Sequence, residues 1–468
     1  MTEVADVEAL SMLPKVDARV RILCPTGHLS YAPLRPDSFH LGLGGAPDYI
    51  VADAGSCDVG PAPLAKDEPT SPEDWQRSDL TEMLLGARRL GVPMIVGSAS
   101  DAGTNAGVDR FVRLIREIAA EHDLPPFTLG YFYSEVAVDE VRRRLRSGDV
   151  GEGLDGRGRL TEADVDRTDR VVAVAGVHPY LELLQQGADV IIGGRSSDAA
   201  LFAAPALLRG ASPSEAYTFG KLLECASFAA EPYGGKESIM GTIADEGILV
   251  TAMNPAQRCT VASVAGHAMY ERSSPLSEYF LGGHLDLTDT RYEQYDERTT
   301  LVTGSRFVAD ENPLRVKLEG AGRVGARMFA LAGIRDPYTI ANLDRAFELA
   351  RGYVRERHQD GTYELYFHAY GRNGVMGAHE PVTAQPHEIG LVIEAIADDP
   401  DRARDVCTIA QRQLFYARLG EVKGTAGSMA FLTDEILRAG DACRWTINHT
   451  LPVRDPLELF QRHLVQVG

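Results

Sequence analysis

Between residues 19 and 200, short continuously apolar runs alternate with longer stretches of helical spacing, and this alternation most narrows the folds open to the chain. The runs are 20–23, 49–52, 94–96, 128–132, 171–174 and 189–192; the amphipathic stretches between them are 78–90, 107–121, 136–147 and 180–186. A strand that is apolar on both faces needs cover on both faces, so the pattern predicts a parallel sheet flanked by helices. Sheets of this kind bind ligands beyond the carboxyl ends of their strands.

Past residue 240 the periodicity changes. Short alternating strands at 247–250, 284–287, 300–303 and 314–318, interrupted by a helix at 261–272, predict a β-rich insert over 241–325 that packs on the α/β domain of residues 1–240. Residues 326–468 read as strand 328–331, helix 340–355, strands 363–369 and 389–396, helix 400–419 and strand 444–447, the order of a ferredoxin-like α+β domain. Asp398-Asp399-Pro400-Asp401 suits a helix entry, with proline in the first turn and acids at the positive end.

Composition excludes several classes of partner. With 47 Lys+Arg against 67 Asp+Glu, the net charge of −20 opposes nucleic acid and anionic membrane surfaces, and the basic groups Arg142-Arg143-Arg144 and Arg110, Arg113, Arg116 sit at helical spacing among acids. No apolar run approaches the ~18 residues of a membrane span, and the acidic start Met1–Glu8 lacks a secretory pattern. Six scattered cysteines without C-x-x-C spacing argue against zinc or a disulfide framework, so a cytoplasmic protein is expected.

Two strand ends share a design that bears chemistry. One carries Asp53-Ala54-Gly55-Ser56-Cys57-Asp58, the other Gly193-Gly194-Arg195-Ser196-Ser197-Asp198. Small residues admit a ligand to the backbone, and a helix starting at Ser197 or Asp198 would present free N–H groups to an anion. Arg195 suits bidentate contact with a carboxylate or phosphate, leaving Asp53, Asp58 and Asp198 for proton transfer. The competing readings are helix capping by Ser197 and Asp198 and a turn held by Asp58. A third end, residues 97–107, offers Ser98, Ser100 and Asn105 as substrate contacts, without the spacing of a P-loop or dinucleotide fingerprint. Glu135 stands near the same mouth. Lys221 and Glu224, one helical turn apart, suit either substrate binding or an ion pair, and His267 either a base or a core histidine. Carboxylates of this density can take Mg²⁺, but no known metal-motif spacing is present.

On these residues the chain resembles the AtuA family, named for acyclic terpene utilisation. The resemblance is carried by Asp53-Ala54-Gly55-Ser56 with Asp58 and Gly60-Pro61, Gly194-Arg195 with Asp198, Gly220-Lys221-Leu222-Leu223-Glu224-Cys225, Val316-Lys317-Leu318-Glu319-Gly320-Ala321 and Asn373-Gly374-Val375-Met376-Gly377. It implies an α/β N-terminal domain, a ferredoxin-like C-terminal domain and a catabolic role beside enzymes of acyl-CoA metabolism.

Together these readings favour an enzyme acting on a small organic acid or its acyl thioester by acid–base chemistry of lyase or hydratase type. Arg195 would anchor the anion, Asp58 and Asp198 exchange protons, and Asp53 with Ser56 orient them; Ser197, Ser98, Ser100, Asn105, Lys221 and Glu224 complete the expected site. Two alternatives are a hydrolase using Ser56 or Cys57 as nucleophile and a non-catalytic acyl-CoA-binding or scaffold subunit. The expected partners are a small carboxylate or acyl-CoA and further copies of the chain.

Overall fold

The structure is a computed structural model that describes residues 12–56, 59–151, 153–270, 274–310, 314–417, 419 and 428–468. The segment Met1–Glu8, Cys57 and Asp58 lie outside the described residues. Two units are distinguished, one formed by residues 1–322 with 445–468 and the other by 323–444.

The first unit is a mixed α/β structure built on a large sheet. Its leading strands are β1 (Ala18–Cys24), β2 (Tyr49–Gly55), β3 (Met94–Asp101), β4 (Phe127–Tyr133), β5 (Arg170–Ala173), β6 (Val190–Gly193), β7 (Ile239–Ala244) and β8 (Gly247–Ala252). β1, β2, β3, β6 and β4 lie side by side in that order, all parallel. The two-sided apolar pattern is the cause: alternate residues feed two cores on opposite faces. Ile22, Tyr49, Val51, Ile95 and Ile191 enter one core, and Leu23, Ile50, Ala52, Val96 and Ile192 the other. Each of these valine, leucine and isoleucine side chains, fully buried, stabilises by about 1.5–3 kcal/mol.

Two expectations change. The run at 171–174 forms β5, but β5 is not in the parallel sheet; it pairs antiparallel with Leu318–Ala321 of the strand Arg315–Ile334. Four strands of the expected insert extend the main sheet instead of lying on it. β7 joins β1 antiparallel, β8 joins β7, Thr299–Thr303 joins β8, and Arg291–Gln294 closes that edge. At the opposite edge Gln461–Val467 pairs antiparallel with β4, so the chain's last strand belongs to this sheet. Two of these pairs, β7 with β8 and Arg291–Gln294 with Thr299–Thr303, are antiparallel because a short connection joins each.

In the second unit, Ala326–Ile334 runs antiparallel to Ile389–Ala397, which runs antiparallel to Glu364–Tyr370, and Ala430–Phe431 flanks the other side of Ala326–Ile334. Helices Leu343–Arg357 and Pro400–Phe415 bury Ala346, Ala350, Val354, Ala403, Val406 and Ala410 in this unit's core. The acidic turn caps as its sequence suggests: the Asp399 side chain accepts from Asp401 N at 3.1 Å. Among the described residues no helix is long and apolar enough to cross a membrane.

Candidate active site

The carboxyl ends of β2, β3 and β6 converge because glycine permits it. A Cβ on Gly55 would stand 2.2 Å from the Asp101 carbonyl oxygen and 2.7 Å from the Ser98 side chain, so only a bare backbone lets β2 close on the tail of β3. Gly103, at φ +62°, would place a Cβ 2.2 Å from Arg195 N and thus lets this loop lie across residue 195. Between them Ser98, Ser100 and Asp101 take left-handed backbone, at φ 47°, 57° and 71°. Such conformations cost about 1–3 kcal/mol each and cluster where a site needs its side chains aimed.

Arg195 is the hub of what they enclose. Its Nε donates to Glu319 Oε2 at 2.9 Å, and its Nη1 donates to Asp198 Oδ1 at 3.0 Å and to Ser98 Oγ at 3.2 Å. Lys317 Nζ completes the pattern at 2.9 Å from Glu319 Oε1. The two acids differ in access: the Glu319 side chain is 6% exposed, that of Asp198 29%. Burial opposes ionisation of Glu319, but Arg195 and Lys317 outweigh it and hold the carboxyl down at about 2. Of these two acids on Arg195, Glu319 is thus the enclosed one and Asp198 the one more open to solvent.

Asp53 has the opposite environment. It is buried in β2, its Oδ2 accepts from Gly55 N at 3.1 Å, and its Oδ1 has no hydrogen-bond partner among the described residues. Burial, reinforced by the Asp198 charge, raises it well above the ordinary aspartate range, with Arg195 opposing. Asp53 thus holds its proton to higher pH than an ordinary aspartate does. The Ser98 hydroxyl accepts from Arg195 and from Ser196 N. Behind Asp53, the Tyr180 hydroxyl donates to Ser196 Oγ at 2.7 Å, and Ser196 donates to Gly194 O at 2.8 Å.

A second charged pair borders the same acids. Lys221 and Glu224, at the end of the helix Pro213–Leu223, form a buried ion pair, with Glu278 3.9 Å from Lys221 Nζ and the Tyr270 ring centroid 5.1 Å from it. Burial raises Glu224 above the ordinary carboxylate range, opposed by Lys221 and reinforced by Asp198. Because Asp198 acts on both Asp53 and Glu224, all three acids share one neighbourhood.

The remaining expected residues divide. Ser56 lines a small cavity with Arg195, Glu319, Asp101 and Trp445. Ser100 instead accepts from Gln76 Nε2 at 3.2 Å. Asn105 pairs reciprocally with Glu135, its N–H donating to Oε1 at 2.7 Å and its Oδ1 accepting from Glu135 N at 3.3 Å, so both serve a helix entry. Ser197 donates its backbone N–H to Ala175 O at 2.9 Å, and the helix after β6 is Ala200–Leu208 with Ala199 at its cap. The anticipated helix start at Ser197 or Asp198 is thereby corrected: these residues lie in the preceding turn, where Asp198 turns back to Arg195. Among the described residues no cluster of three or more His, Cys, Asp or Glu is arranged to hold a metal ion. Sequence reasoning about the site missed Glu319, Lys317 and Tyr180. The available signal was the pair of charges at alternate positions of an apolar strand, Val316-Lys317-Leu318-Glu319.

Fold and site together define an α/β protein that gathers a buried carboxyl of raised proton affinity, an ionised acid and paired cations beyond the carboxyl ends of parallel strands, where open sheets hold their ligands. Residues 20–439 match the model of the acyclic terpene utilisation family protein AtuA, and the chain belongs to that family. No match was found among curated proteins or solved structures.

Proposed function

We propose that this protein is a catabolic enzyme of acyclic terpene utilisation that adds water to, or removes it from, a small branched acid or its acyl thioester. The observation that carries the reading is the Arg195 fork, with one buried partner and one half-exposed partner beside a buried carboxyl. A substrate carboxylate or thioester carbonyl replaces Asp198 on Nη1, while Glu319 keeps the guanidinium aimed. Asp53 delivers its proton to the substrate, and the freed Asp198 returns one from solvent. A buried carboxyl of raised proton affinity beside a more exposed one suits this division of labour. Lys221 and Glu224 line the far side and set the length of the acyl group that fits. Ser56 completes the mouth.

The second unit we read as ferredoxin-like. Its support is the antiparallel order of Glu364–Tyr370, Ile389–Ala397, Ala326–Ile334 and Ala430–Phe431, with a helix in each crossover.

The test is hydration of short branched 2-enoyl coenzyme A thioesters, followed by loss of the conjugated-thioester absorbance. Asp53→Asn and Arg195→Lys should each lower turnover by about 100-fold or more. Full turnover by either variant, or none of the panel turned over by the unaltered protein, would refute the assignment.

A further inference from the structure

The hydration chemistry proposed above names a donor for the carbon but no acceptor for the proton of the attacking water, and one pair of residues on the same mouth has the geometry to be that acceptor. His28 follows β1, is 7% exposed, and places Nε2 3.5 Å from Asp101 Oδ1. Asp101 lines the cavity shared by Ser56, Arg195 and Glu319.

The carboxylate of Asp101 is heavily fixed. Its Oδ2 accepts from Thr70 N at 2.6 Å, Thr70 Oγ1 at 3.1 Å and Ser71 N at 3.1 Å, and its Oδ1 accepts from Ser71 Oγ at 3.2 Å. Burial works against its charge, but His28 and the Ser71 and Thr70 donors outweigh it and keep Asp101 below the ordinary aspartate range. An anion held this way orients a facing imidazole, with the proton on the nitrogen that faces it.

His28 is pinned from both sides. Leu29 N donates to Asp53 O at 2.9 Å, and Ser30 N donates to Asp79 Oδ2 at 2.8 Å. On the preceding side, a Cβ on Gly27 would lie 2.7 Å from Cys225 Cα, so this turn is pressed against the residue that follows Glu224. The loop bearing the imidazole thus touches the backbone of Asp53 on one side and the Lys221–Glu224 wall on the other. The open side carries Tyr31, 60% exposed, whose ring lies 5.4 Å from that of His28. Nε2 is turned to Asp101 at 3.5 Å without closing a hydrogen bond, and neither ring nitrogen has a hydrogen-bond partner among the described residues.

We propose that His28, oriented by Asp101, is the base that takes a proton from the water attacking the enoyl carbon. In that step the water oxygen bonds to the β-carbon and one water O–H bond breaks, its proton passing to His28 Nδ1. The carbon–carbon double bond becomes single, and the α-carbon takes the proton of Asp53. His28 then releases its proton to solvent while Asp198 restores one to Asp53, so the sum is addition of one water. This inference rests on the hydratase reading and supplies its base.

Chemical rescue separates catalysis from support. His28→Ala should lower hydration of the 2-enoyl thioester by about 100-fold or more, and added imidazole should restore about tenfold, because it refills the vacated space with the same base. His28→Gln should show the same loss without rescue. Near-normal turnover by either variant, or a loss that imidazole leaves unchanged, would overturn the proposal. If His28→Ala does not fold, nitrogen-15 spectra of the unaltered protein decide: a protonated Nε2 and a bare Nδ1 support the dyad, and the reverse tautomer overturns it. These spectra need no substrate, so failure of the hydratase reading and failure of the dyad remain distinguishable.

Discussion

Replacing Glu319 by Gln keeps the shape of the side chain and removes the charge that Arg195 and Lys317 share. Folding moves the Glu319 carboxyl from an ordinary 4.5 to about 2, which at about 1.4 kcal/mol per tenfold is worth roughly 3 kcal/mol. The cost of breaking a buried pair by removing one partner, about 3–5 kcal/mol, has the same size. The sign follows from the lowered proton affinity: the contribution is fully present above about 4.5 and vanishes as pH falls through about 2. Urea unfolding at neutral pH should therefore find Glu319→Gln less stable by about 3 kcal/mol, and the gap should narrow steadily below pH 4.5. Trp445, one of the two tryptophans, lines the cavity beside Glu319 and supplies the fluorescence signal. A deficit below about 1 kcal/mol at neutral pH, or one that ignores pH, would show that Glu319 does not carry the Arg195 fork.

Asp53→Asn should be more stable than the unaltered protein at neutral pH, seen as a higher thermal midpoint, because the native aspartate resists the ionisation it undergoes on unfolding; a lower midpoint would contradict the raised proton affinity of Asp53. Its turnover should nevertheless fall, so stability and activity move in opposite directions. Lys221→Met should be destabilised increasingly as pH rises, since Glu224 then has to lose its proton without a buried cation; a deficit independent of pH would argue against the pair. Gly103→Ala should cost about 2 kcal/mol or more by chemical denaturation, as it adds a Cβ in left-handed backbone against Arg195 N, and a neutral result would refute the close approach.

Much of the site was legible because its residues sit at strand ends. Asp53 and Arg195 each follow an apolar run, and that position alone places them at the carboxyl edge of a parallel sheet. Lys221 and Glu224 were legible as a pair because one helical turn separates them, but their burial was not, since spacing carries no information about what packs above. Ser100 and Asn105 misled for a related reason. Their loop sequence suits substrate contact, yet neighbouring elements claim the polar atoms, Gln76 for one and Glu135 for the other. β5 misled because an apolar run of four says that a strand is buried, not which sheet buries it.

What the sequence by itself determined is local: two-sided apolar strands, helices to cover them, and small acid-bearing turns where strands end. These follow from periodicity, which acts over a few residues. Only the tertiary structure decided which acids became partners. Glu319 reaches Arg195 across a sequence separation of 124 residues, and His28 reaches Asp101 from a different strand end. Proton affinity depends on burial and on charges a few ångströms away, both set by the packing of distant segments, so one buried carboxyl, Asp53, is pushed above its ordinary range and another, Glu319, is held below it.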